Sequence, residues 1–161
     1  MSAYAELSQR FADYHRAQME QLHRLASQAR NFTTALEVFL ELPRAVWSDP
    51  KTGAEMSYIR LGKGDAQKFE EMHFHQLSSI NGVMDFAVSV TLERAPDSYP
   101  KRHHIFQVKV AATRDGYLFT SADFEGSLLV RDGVSRNEDY NPLCATLLQV
   151  LLDGYDVSRI V

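Results

Sequence analysis

Only one cysteine, Cys144, occurs in 161 residues, so the chain cannot close a disulfide on itself. A disulfide-built scaffold is therefore excluded, and a reducing compartment is favoured. Prolines are few and scattered: five, with no Pro- or Ser-rich linker, no low-complexity tract and no internal repeat. Nothing divides the sequence, and its length suits one domain, residues 1–161. No stretch approaches the roughly 18 consecutive apolar residues of a membrane-spanning helix, and Ser2–Arg16 lacks the apolar core of a signal peptide. The expectation is a soluble cytoplasmic protein without membrane partners. Phosphate-loop glycines in the GxxxxGK[ST] or GxGxxG pattern are missing, as are G-x-S-x-G and C-x-x-C. The sequence names no reaction, so it neither assigns nor excludes enzyme activity.

What is present is a globular composition: 45% hydrophobic, 24% charged and 11% aromatic. That apolar fraction excludes intrinsic disorder. At this size a compact chain buries on the order of 70% of its unfolded surface, enough for a true core. The formal net charge of −4 is a sum of unlike parts. Between Arg94 and Arg114 the local charge is +4, leaving −8 for the remainder. Arg94, Lys101, Arg102, His103 and His104 form a candidate patch for an anion or acidic partner. The alternative is a basic loop that solvates a turn. Nucleic acid is disfavoured as a partner, because the field of the whole molecule repels a polyanion.

Tyr4, Leu7, Phe11, Tyr14, Leu22, Leu25, Ala29, Phe32, Leu36 and Phe39 recur at gaps of three and four, with one lapse around Gln18. This is the stripe of a long amphipathic helix, with Ser2 as N-cap. Residues 33–42 also fit an alternating strand, and helix is preferred. The stripe predicts a core face, with a homodimer seam as the alternative. From Ala45 the period becomes two. Asp49-Pro-Lys-Thr-Gly53 predicts a hairpin turn, and strands follow over Ala54–Leu61, Phe69–Leu77, Met84–Leu92, His104–Ala112, Tyr117–Phe124 and Ser127–Arg131. Asp132–Tyr140 reads as a polar loop. A closing helix begins with Asn141 as N-cap and Pro142 at the first position, and Gly154 reads as its C-cap. The predicted class is α+β: an antiparallel meander sheet of about five to seven strands packed by a long N-terminal helix and a C-terminal helix.

Histidine is the main catalytic resource. On a Phe69–Leu77 strand, Glu71, His73 and His75 share one face, and Tyr58 lies on a neighbouring strand. These four are the candidate ligand-binding residues, with His73 and His75 as candidate ligands of a divalent metal. The blander reading is half-exposed strand residues bonding their neighbours, and no cofactor is expected. Cys144 sits among leucines and reads as a small buried hydrophobe. The leading functional expectation is a non-catalytic cytosolic protein-binding module (adaptor, escort or immunity type) that pairs with another protein, itself included. The alternative is a small-molecule binder or enzyme with a pocket between sheet and helices, using a histidine or metal site.

Overall fold

A computed structural model describes residues 2–131 and 136–160. The first element, helix α1 (Ala3–Leu40), runs unbroken for 38 residues, about 57 Å at the usual rise per residue. Ser2 caps it by accepting from the Ala5 amide at 3.1 Å, as the sequence predicts. Residues 33–40 are helix, because Phe32, Ala35 and Leu36 are buried at helical spacing while Val38, on the competing strand pattern, is 58% exposed. Glu41 ends the helix at φ +50°, with its amide donating to the Val38 carbonyl.

Strands β1 (Val46–Ser48) and β2 (Glu55–Ser57) form a separate two-stranded ribbon. Its turn is the one the sequence predicts: Asp49 accepts from the Gly53 amide at 2.7 Å, and Gly53 takes φ +72°. The main sheet contains β3 (Ile59–Gly64), β4 (Phe69–Glu71), β5 (Val83–Leu92), β6 (Arg102–Thr113), β7 (Gly116–Ser121) and β8 (Leu128–Arg131). All six are antiparallel in the order β4-β3-β5-β6-β7-β8. The meander therefore breaks once, where β4 turns back outside β3 before the chain returns to pair β5 on the other flank. Gly64 permits that turn at φ +116°, since a Cβ there would strike the Lys68 carbonyl.

Several expected boundaries shift: the Ala54–Leu61 strand divides at Tyr58 between β2 of the ribbon and β3 of the main sheet, which runs on to Gly64, and the Tyr117–Phe124 strand ends at Ser121. The Phe69–Leu77 strand ends at Glu71 and is followed by a short 3-10 turn, Phe74–Gln76. Helix α2 (Asn141–Gly154) has Tyr140 at its N-cap position and Tyr155 at its C-cap, so Asn141 and Gly154 lie inside it. A 3-10 turn, Asn137–Tyr140, leads into it. Residues 132–135 of the expected polar loop lie outside the described residues.

Both long helices cover one face of the sheet. Met84, Phe86, Val88 and Val90 of β5 and Phe106, Val108 and Val110 of β6 meet Leu25, Ala29, Phe32 and Leu36 of α1, with Leu143, Leu147 and Leu151 of α2 beside them. Phe32 is the hub, its ring 5.9 Å from Phe119, 6.3 Å from Tyr140 and 6.4 Å from Phe86. The Tyr140 hydroxyl donates to Gln28 Oε1 at 2.6 Å, so the polar groups at this junction enter the core already bonded. This cluster packs the middle of the helix–sheet interface, and an open groove remains at its edge between Tyr14, Gln18 and Gln21 of α1 and Ser79, Asn81, Gly82 and Ala112.

Candidate functional site

Only the second half of α1 touches this core; residues 2–20 are all exposed. On those first turns Tyr4 is 77% exposed, Leu7 65%, Phe11 69%, Tyr14 63% and Met19 50%. Tyr4, Leu7, Phe11 and Tyr14 precede Leu22, Leu25, Ala29 and Phe32 by eighteen residues each, which is five full turns. They therefore occupy the same face of the helix as the residues seated on the sheet. The apolar stripe continues unchanged while the sheet beneath it stops. The expected core face is thus a core face from Leu22 onward and an uncovered one before it. Local pairs hold these turns helical: Arg10 with Glu6 at 3.3 Å, Arg16 with Asp13 at 3.4 Å, and Gln9 donating to Asp13 at 3.1 Å. Each stabilises the helix by about 0.2–0.5 kcal/mol.

The sheet face opposite the helices is polar and largely buried at one end. Tyr58, Ser89, Thr91 and Glu93 alternate away from the core, as do Lys101 and His103, and the β1–β2 ribbon folds over them with Trp47 stacked 5.6 Å from His103. Here Tyr58, a predicted ligand residue, meets the Glu93 carboxylate that also holds Lys101 of the predicted basic patch, and His103 of that patch bonds Thr91. Lys101 Nζ donates to Glu93 at 2.7 Å and lies 4.5 Å from the Tyr99 ring centroid, its side chain only 2% exposed. Tyr58 donates to the same carboxylate at 3.1 Å and accepts from Arg44 at 2.8 Å. Thr91 shares a 2.9 Å hydrogen bond with His103.

The electrostatics follow from these contacts. The Lys101 hydrogen bond holds the Glu93 carboxyl below its ordinary value of 4.5, against burial, and Tyr58 assists. Burial alone would lower Lys101, but the Glu93 bond and charge outweigh it and hold the ammonium above its ordinary range. Burial raises Tyr58, reinforced by Glu93. Each charge is thus committed to its neighbour, and the group ties ribbon, loop and sheet together. Arg44 and Glu93 are partners that the sequence reading missed. The only local signal was the alternation of β5, which, continued one residue past Leu92, turns Glu93 away from the core.

A depressed carboxyl contributes stability above its unfolded value, lost as pH falls through the folded one. The urea midpoint gap between the native chain and Glu93→Gln should therefore be wide at neutral pH and close below about pH 4.5. An undiminished gap at about pH 3 would show that the ion pair is not the source.

Glu71, His73 and His75 do not share a strand face. Glu71 ends β4, 3.9 Å from Arg60. His73 instead precedes the 3-10 turn, its Nδ1 accepting from the His75 amide at 3.3 Å. The two rings stack at 4.9 Å, and His23 of α1 also stacks on His75 at 5.7 Å. Withdrawal from water lowers the His75 pKa, and His73, His23 and Arg30 add repulsion. Among the described residues no group of three or more His, Cys, Asp or Glu is arranged to hold a metal ion.

The predicted basic patch is divided. Arg102 and His104 alternate with Lys101 and His103 along the β6 end of the sheet, so the pairs face opposite ways. Lys101 is neutralised by Glu93, and Arg94 donates to the Tyr99 carbonyl at 3.3 Å. Burial lowers the pKa of both His103 and His104. Cys144 is buried in α2, its thiol pushed up to about 12, which leaves no thiolate at neutral pH. Among the described residues no helix is long and apolar enough to cross a membrane. No protein-family profile, no curated protein and no solved structure significantly matches this chain.

Proposed function

We propose that this chain is a non-catalytic protein-binding module, an adaptor, escort or immunity-type protein of the cytoplasm, that docks through the exposed face of the first half of α1. The observation that carries this reading is the continuation of the core stripe past the sheet as Tyr4, Leu7, Phe11 and Tyr14 in solvent. Contiguous apolar patches beyond a few hundred Å² are uncommon on monomers and mark interaction sites. The full internal commitment of Glu93 and Lys101 and the protonated, buried Cys144 also favour binding over catalysis.

A photo-crosslinking residue tests the reading. Placed at Phe11 in cells of the source organism, it should give a discrete protein adduct. Placed at Gln9, on the opposite side of the helix, it should give none. Absence of any adduct from Phe11 would remove the reading.

A second reading, small-ligand binding, has one observation in its favour. Among the described residues, Trp47 Nε1 of the ribbon and Arg60 Nε and Ser89 Oγ of the paired strands β3 and β5 are buried without hydrogen-bond partners. Such donors suit a small oxyanion. Phosphate or acetate should then raise the thermal midpoint more in the native chain than in Ser89→Ala; equal shifts would dismiss this reading.

A further inference from the structure

Resting on the protein-binding reading above, we infer that the partner of the exposed α1 face is a second copy of this chain, paired antiparallel over residues 2–16 and centred near Gln9.

Area supports a self-pair. Tyr4, Leu7, Phe11 and Tyr14, each about two-thirds to three-quarters exposed, present roughly 500 Å² of apolar surface per copy. With His15, stacked on Phe11 at 6.3 Å, the face stays below the ~800 Å² per partner of a standard interface, a size that suits a weak, reversible pair. A second copy supplies a matching face of equal length and equal apolar content.

Spacing fixes the orientation. Tyr4, Leu7, Phe11 and Tyr14 alternate at three and four residues, the a and d positions of a two-helix seam. Laid antiparallel about Gln9, Tyr4 of one copy meets Tyr14 of the other, and Leu7 meets Phe11, with every layer repeated by symmetry. The projecting segment, residues 3–20, is about 27 Å long. Overlap over residues 2–16 then leaves one sheet beyond each end of the pair. A parallel pair would bring both sheets to the same end, beside one another.

Charge selects among partner classes. Glu6, Arg10, Asp13, Arg16 and Glu20 alternate in sign along this segment and sum to −1. A helix lying on an anionic membrane carries an excess of Lys and Arg on its polar face. A strongly basic or acidic partner would call for flanks of one sign. Arg10 borders the seam and the other four lie toward the opposite side of the helix, so no strong field of one sign opposes the approach of two identical helices.

Sedimentation equilibrium of the full chain, with cysteine variants for orientation, tests the pairing. The native chain should show a reversible monomer–dimer equilibrium. Under mild oxidation, Leu7→Cys mixed with Phe11→Cys should yield a disulfide-linked pair, while either variant alone should yield little. Cys144 is buried and should not interfere. A native chain monomeric up to about 200 µM would overturn the second-copy assignment, since it excludes even weak association. Efficient crosslinking of Leu7→Cys to itself would overturn the antiparallel arrangement. In either case the protein-binding reading survives if the Phe11 photo-adduct contains a different protein, and falls if no adduct forms. An adduct of twice the 18.3 kDa chain mass supports both.

Discussion

Phe32→Ala is expected to lower the unfolding free energy by about 3–5 kcal/mol, the range for truncating a fully buried phenylalanine. Phe32 has no solvent exposure and contacts rings from β5, β7 and the turn before α2, so several elements would have to move to fill the cavity. The informative control is Tyr14→Ala. Tyr14 lies on the same helix and the same face, five turns earlier, yet is 63% exposed at the rim of an open groove. Under dilute, monomeric conditions that substitution should change stability by no more than about 0.5 kcal/mol. Chemical denaturation of both variants decides the matter. Equal losses would mean that the first half of α1 is anchored to the body after all.

Leu7→Glu combined with Phe11→Glu is expected to do the reverse. The sheet domain should keep its dilute-solution stability, because neither residue belongs to the core. Self-association should weaken on the order of 100-fold or more. Burying a leucine or phenylalanine contributes about 1.5–3 kcal/mol, each tenfold in affinity is about 1.4 kcal/mol, and symmetry places both substitutions twice in the seam. Carboxylates brought into the seam add desolvation cost. Sedimentation of the variant beside the native chain measures this effect, and unchanged association would place the contact elsewhere on the molecule.

Much of the fold was legible because local periodicity and burial agree wherever an element lies on the common core. The stripe from Leu22 to Phe39, the strand Met84–Leu92 and the Asp49–Gly53 turn are of that kind. The strand predicted through His73 and His75 failed because alternation of Glu71, His73 and His75 carries no information about backbone hydrogen bonds. Pairing with β3 ends near Glu71, and the His73 imidazole then caps a 3-10 turn instead. The candidate surface was legible as a pattern but not as a surface. Tyr4–Tyr14 and Leu22–Phe32 have the same spacing, and only the position of the sheet separates a covered stripe from an open one. The polar layer was hidden for a similar reason. Ser89 and Thr91 look solvent-facing on β5 until the Trp47 ribbon folds over them, and Lys101 looks like a free cation until Glu93, eight residues away, takes its charge.

The central claim is that residues 3–20 form a docking helix that gains its cover from a second copy. Amide hydrogen exchange at low and high protein concentration tests it most directly. Amides of the core-seated half, from Leu22 to Leu40, should be protected equally at both concentrations. Amides over residues 7–16, which donate within the helix, should exchange readily when dilute and become strongly protected when concentrated, with the gain abolished by Leu7→Glu and Phe11→Glu together. Protection over residues 7–16 that is the same at every concentration, or unaffected by those substitutions, would contradict self-pairing through this face.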